Sequence, residues 1–91
     1  MQANFYATLR PIVGGKTVEF DLDGAATVDS LLREAGKRFP ALAELMWNPD
    51  GSLSDFLKVF VNGRDIRYLQ MLDTPVPADA EVDIFPPVAG G

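Results

Sequence analysis

Apolar and polar residues alternate from the start of the chain, with Ala3, Phe5, Ala7 and Leu9 set against Asn4, Tyr6 and Thr8. That is the period of a half-buried strand. Arg10-Pro11 closes it, Gly14-Gly15 reads as a turn, and Val18, Phe20 and Leu22 then alternate with Thr17, Glu19 and Asp21. The two runs predict an opening antiparallel hairpin. Beyond a loop around Asp23-Gly24 the period changes: Val28, Leu31, Leu32, Ala35 and Phe39 fall on one stripe of a helix. Thr27 is placed to cap it, Asp29 suits its positive start, Lys37 and Arg38 suit its end, and Pro40 stops it. Gly36 inside this helix weakens it by about 1 kcal/mol relative to alanine. A second short helix carries Leu42, Leu45 and Met46, with Trp47 as its partly buried anchor, and residues 48–51 form a loop.

Leu57, Val59 and Val61 alternate with Phe56, Lys58 and Phe60 to give a third strand. Asn62-Gly63 turns it into a short fourth strand near Asp65 to Arg67. Residues 68–80 contain Asp73-Thr74-Pro75 and Pro77, and read as irregular chain or a single helical turn held down by Leu69 and Leu72. Glu81 to Phe85 is the last strand, with Val82 and Ile84 inward and Asp83 and Phe85 outward; Pro86, lacking an N–H, ends it. The order predicts an α+β domain, a mixed four- to five-stranded sheet wrapped on one main helix, over residues 1–85. Residues 86–91 form an extended tail that this core does not need.

Composition narrows the function. The 91 residues, 47% of them hydrophobic, suit one domain with a modest core. A net charge of -5, spread from Glu19 to Asp83, repels nucleic acid and suits a basic protein surface. There is no cysteine and no histidine, so disulfides, thiolate nucleophiles, the usual zinc ligands and the commonest general base are all missing. No leader or membrane-length apolar run is evident, which makes the cytoplasm the expected location and a membrane an unexpected partner.

The tail Pro86-Pro87-Val88-Ala89-Gly90-Gly91 is therefore the main chemical candidate, the alternative being a frayed terminus incidental to a plain binding module. Extended, it reaches roughly 20 Å, and its prolines lower the entropy lost on threading into a narrow channel. Gly90 and Gly91 present no side chain to obstruct such a slot. A terminal Gly91 offers its main-chain carboxylate, which with a pKa near 3.5 is ionised at neutral pH and must be activated before it can react.

The element order, the Val61-Asn62-Gly63-Arg64 turn and the ending Ile84-Phe85-Pro86-Pro87-Val88-Ala89-Gly90-Gly91 resemble the β-grasp sulfur carriers of the MoaD/ThiS family. That family includes the molybdopterin synthase small subunit and ubiquitin-like small modifier proteins, and the likeness covers essentially the whole chain. The turn sequence through Arg67, followed by Leu72-Asp73-Thr74-Pro75, looks more like the modifier branch. β-Grasp ferredoxins are excluded for want of cysteine.

The resemblance implies a β-grasp fold and a carrier that is not itself an enzyme. It implies an E1-like partner that uses ATP to adenylate Gly91, after which a persulfide gives a thiocarboxylate. Sulfur would then pass to a molybdopterin precursor held by the large synthase subunit. Alternatively, the activated carbonyl would pass to a lysine of an acceptor protein. No cofactor is expected to stay bound to the chain. Residues 86–90 would be recognised by the partner as the tail threads.

For docking, Phe60 and Phe85 point away from the predicted helix, with Tyr6 or Phe56 nearby; burial under residues 69–80 is the alternative. Related carriers use the open sheet face for this purpose. Arg64 and Arg67 either meet acidic groups of a partner or are solvated turn charges. Asp79, Glu81 and Asp83 read as a solvated strand edge rather than an acid/base pair.

Overall fold

The computed structural model describes residues 1–22, 25–55 and 57–86. Five strands form one sheet: β1 (Gln2–Phe5), β2 (Thr17–Glu19), β3 (Lys58–Val61), β4 (Arg64–Asp65) and β5 (Glu81–Phe85). Their order is β2-β1-β5-β3-β4, with β5 parallel to β1 and antiparallel to β3. The last strand therefore runs through the middle of the sheet. The expectation that Glu81 and Asp83 lie on a strand edge is corrected: β5 is paired on both sides.

Strand alternation places Ala3, Phe5, Val59, Val61, Val82 and Ile84 on one buried face. Against it lies α2 (Val28–Arg38), which buries Val28, Leu31, Leu32 and Ala35. Each large side chain removed from water here contributes about 1.5–3 kcal/mol. Thr27 caps α2 as its sequence predicts, and Ser30 completes a capping box: the Ser30 N–H donates to Thr27 Oγ1 (3.2 Å) and the Thr27 N–H to Ser30 Oγ (2.9 Å). The next helix, α3 (Pro40–Met46), starts rather than merely follows at Pro40, which occupies a first-turn position where no N–H is needed. Leu42 and Met46 of α3 are buried, whereas Leu45 is exposed. Gly36 marks the α2–α3 contact, since a Cβ there would sit 3.1 Å from Ala43 Cβ and 3.2 Å from Met46 Cε.

Three further sequence expectations give way. The first strand stops at Phe5 instead of reaching Leu9, because Ala7 takes a φ of 51° and the carbonyls of Tyr6 and Ala7 accept the N–H groups of Leu9 and Arg10. A short helix, α1 (Leu9–Val13), follows and still buries Leu9. Pro11 is tolerated because it falls in the first turn, and Gly14 ends the helix at φ 81°. β1 and β2 are antiparallel neighbours, but α1 joins them in place of a tight turn.

The second correction concerns β4, which occupies Arg64–Asp65. The Asp65 carboxylate accepts the Arg67 N–H (2.9 Å) and starts a 3-10 turn, Ile66–Tyr68, that ends the strand early. The third concerns residues 68–80. They contain a second 3-10 turn, Met71–Asp73, and are held by buried Thr74, Val76 and Ala80 together with half-buried Leu72, which packs on the core as expected, whereas Leu69 is exposed. Hydrogen bonds from the Val28 N–H to Thr74 (3.0 Å) and from the Val76 N–H to Ala26 (2.9 Å) fix this segment to the start of α2. Among the described residues no helix is long and apolar enough to cross a membrane.

Candidate functional site

The face of the sheet opposite α2 carries the outward residues of its three inner strands. Parallel pairing sets Asn4 beside Asp83, and the antiparallel register sets Phe60 beside Asp83 and Lys58 beside Phe85. Three rings gather where β1 and β3 flank the end of β5. Tyr6 stacks on Phe85 with centroids 4.3 Å apart and planes 11° from parallel, while Phe60 meets Phe85 edge-on at 5.5 Å and 82°. Phe60 and Phe85 are half-buried, Phe85 packing on both Phe60 and Tyr6 within the sheet face. Beside them opens a concavity of about 330 Å³ lined by Lys58, Phe60, Gly63, Asp83 and Phe85.

A polar ladder fixes the other half of this face. Thr17 Oγ1 donates to Asn4 Oδ1 (2.8 Å), which commits the Asn4 amide to donate from Nδ2 to Asp83 Oδ1 (2.9 Å) and Glu81 Oε1 (3.1 Å). Asp83 Oδ1 also accepts from the Tyr6 hydroxyl (3.0 Å). That hydrogen bond is the main reason the Tyr6 pKa is raised above the ordinary tyrosine value; burial and the charges of Asp83 and Glu81 push the same way, against the Arg10 guanidinium. Arg10 lies 5.5 Å from the Tyr6 ring centre and donates from Nε to the Phe5 carbonyl (3.0 Å). The Asp83 carboxylate thus joins the polar ladder to the aromatic cluster.

Of the sequence candidates, Phe60 and Phe85 are brought together, with Tyr6 added. Phe56 lies outside the described residues. Arg64 is exposed on β4 in register with Val61, whose side chain faces the core, and it is Gly63 that borders the concavity. Arg67 is tied to Asp65 by an ion pair of 3.3 Å. Trp47 is half-buried at the end of α3, with the Arg33 guanidinium 4.2 Å from its ring centre. Pro86 directly follows β5 and is buried; Pro87, Val88, Ala89, Gly90 and Gly91 lie outside the described residues. Among the described residues no group of side chains could hold a metal ion.

The polar ladder of Thr17, Asn4, Asp83 and Tyr6 was not visible as a site in the sequence. The available signal was the outward alternation of Asn4 and Tyr6 on one strand and Glu81, Asp83 and Phe85 on another. Only the β1–β5 pairing makes them neighbours.

Residues 3–91 match the model of the ThiS family. The chain is 34% identical over its full length to small archaeal modifier protein 3 of Haloferax volcanii, covering 98% of that protein. It is 31% identical to the sulfur carrier protein CysO of Mycobacterium tuberculosis, over 91% of this chain and 89% of that one. The crystal structure of SAMP1 from Haloferax volcanii superposes with a TM-score of 0.86 at 34% identity, covering 99% of this chain and 97% of the other. These similarities agree with the five-stranded mixed sheet and its helical layer. The chain belongs to the ThiS family and has the ubiquitin-like β-grasp fold of its sulfur carriers and small modifiers.

Proposed function

We propose that this chain is a cytoplasmic sulfur carrier in which residues 1–85 dock on partner enzymes and residues 86–91 present the carboxylate of a C-terminal Gly91 for chemistry. The observation that carries this reading is the aromatic cluster of Tyr6, Phe60 and Phe85 at the end of the central strand, one residue before the tail begins. A partner gripping that cluster holds the start of the tail at a fixed point, so threading costs the entropy of only a few residues.

The partner would be an E1-like enzyme that attacks ATP with the Gly91 carboxylate, releasing pyrophosphate and leaving an acyl-adenylate. A persulfide sulfur would then displace AMP, and reduction of the resulting acyl disulfide by a thiol would leave the thiocarboxylate. The chain itself supplies no thiol or imidazole to these steps. The proposed destination of the sulfur is a molybdopterin precursor on a large synthase subunit. Intact mass after incubation with ATP, an activating enzyme and a sulfur donor tests this: exchange of one oxygen for sulfur supports carriage, and an unchanged mass with a competent enzyme contradicts it.

A second reading, conjugation of Gly91 to lysines of acceptor proteins, is favoured by the full-length similarity to small archaeal modifier protein 3. Its test is a blot of cell lysate for an epitope-marked chain. A ladder that vanishes on deleting Gly90-Gly91 supports conjugation; a single band argues for carriage alone.

A further inference from the structure

Three of the exposed large apolar side chains lie in the turns that follow β4, and the second of these turns, Met71–Asp73, packs against α2. Tyr68 is 88% exposed, Met71 42% and Leu69 37%, within one run of four residues. A groove of about 680 Å³ opens beside them, between the loop of residues 48–55 and the turn of residues 70–73. Its apolar lining comes from Leu53, Met71 and Leu72, and its carboxylates from Asp50, Asp55 and Asp73.

The groove is built before any partner arrives. One wall is braced by Asp50, whose Oδ1 accepts from the Ser52 N–H (3.0 Å) and hydroxyl (2.6 Å), and by Asn48, whose Nδ2 donates to Ser52 Oγ (3.0 Å). The other wall is closed by Thr74 Oγ1, which accepts from the Gln70 N–H (3.0 Å). The Asp55 and Asp73 carboxylates make no hydrogen bond or ion pair with the described residues, and no basic residue lines the groove.

Acidic walls around an apolar floor select their occupant by charge. An anionic membrane or a nucleic acid is repelled, and a bare cation leaves the apolar area unused. A divalent ion also finds no group of ligands there among the described residues. We propose that this groove is a second docking surface, for a partner segment carrying lysine or arginine beside an apolar side chain. Methionine at its centre suits such a contact, because its flexible thioether adapts to different apolar neighbours. Val59, buried with Leu53 and Ile66 on the helical side, and Phe60, on the opposite face, point to different sides of β3. The groove and the aromatic cluster can therefore be occupied at once, by an acceptor on one side and an activating enzyme on the other.

The test is a ¹⁵N–¹H correlation titration of the full chain with the hexapeptide acetyl-Lys-Leu-Lys-Lys-Leu-Lys-amide. Saturable shifts confined to residues 48–55 and 68–73 are expected, unchanged in Phe85→Ala and weakened about 2- to 30-fold in a double variant, Asp55→Asn with Asp73→Asn. The glutamate-for-lysine peptide should leave the same signals in place. Shifts centred on Glu81 and Asp83, shifts spread without saturation over all acidic residues, no shifts at millimolar peptide, or wild-type binding by the double variant would each overturn the proposal.

Discussion

The Tyr6 ring lies flat on Phe85 at 4.3 Å, and its hydroxyl donates to Asp83 two residues earlier on the same strand as Phe85, so one side chain braces both that ring and its neighbouring carboxylate. The consequence is a preorganised patch. An aromatic pair contributes about 0.5–1.5 kcal/mol beyond its buried area, and ordering it before binding removes part of the cost of association. Tyr6→Ala is expected to lower kcat/KM for activation of this chain about 10-fold while the far-ultraviolet spectrum stays native. Tyr6→Phe, which keeps the stack, should lose less. Equal loss in both would show that the stack is not what matters.

Phe85→Ala and Phe60→Ala remove the rings themselves. Central aromatic anchors typically cost 2 kcal/mol or more when truncated, about 30-fold in affinity. Calorimetric titration against the activating enzyme should show that loss for both. Arg64→Ala, which removes an exposed charge outside the cluster, should change affinity about 3-fold or less.

Tyr6 also gives a pH signature. Its raised pKa means that the folded state holds the phenolic proton more tightly than the unfolded chain. The resulting stabilisation is complete below the ordinary tyrosine value of about 10 and is lost as pH rises through the folded-state value. In a Tyr68→Phe background, which leaves Tyr6 as the single tyrosine of two, absorbance at the phenolate band should rise later than in a model peptide. Asp83→Asn should move that rise back toward the ordinary value. A titration indifferent to Asp83 would contradict the hydrogen bond.

Gly36→Ala is expected not to raise the melting temperature, although alanine is the better helix former by about 1 kcal/mol. The added methyl would press on Ala43 Cβ at 3.1 Å, and overpacking of this kind costs about 1–3 kcal/mol. Thermal unfolding of the variant checks it; a gain in stability would mean that α3 yields freely.

Several elements were legible because local and tertiary preferences agree. Glu81–Phe85 is a strand by alternation and by structure, and Asn62-Gly63 takes φ values of 51° and 80° suited to the tight turn its sequence announces. The stretch from Tyr6 to Val13 was not legible. Leu9 satisfies a strand alternation and is equally well buried from a helix, and the turn depends on a positive φ at Ala7 that the sequence does not advertise. The aromatic face was half visible: outward Phe60 and Phe85 follow from alternation, but their bracing depends on β1 pairing with β5 across nearly the whole chain. Long-range pairing of this kind leaves no local pattern.

The central claim is that the terminal carboxylate of Gly91 reacts while the folded domain only presents it. Intact mass of the wild-type chain and of a chain with one alanine appended after Gly91, each treated with ATP, the activating enzyme and a sulfur donor, tests it most directly. The account predicts oxygen-to-sulfur exchange in the wild type and none in the extended chain, with both giving the same folded amide spectrum. Exchange in the extended chain would contradict it.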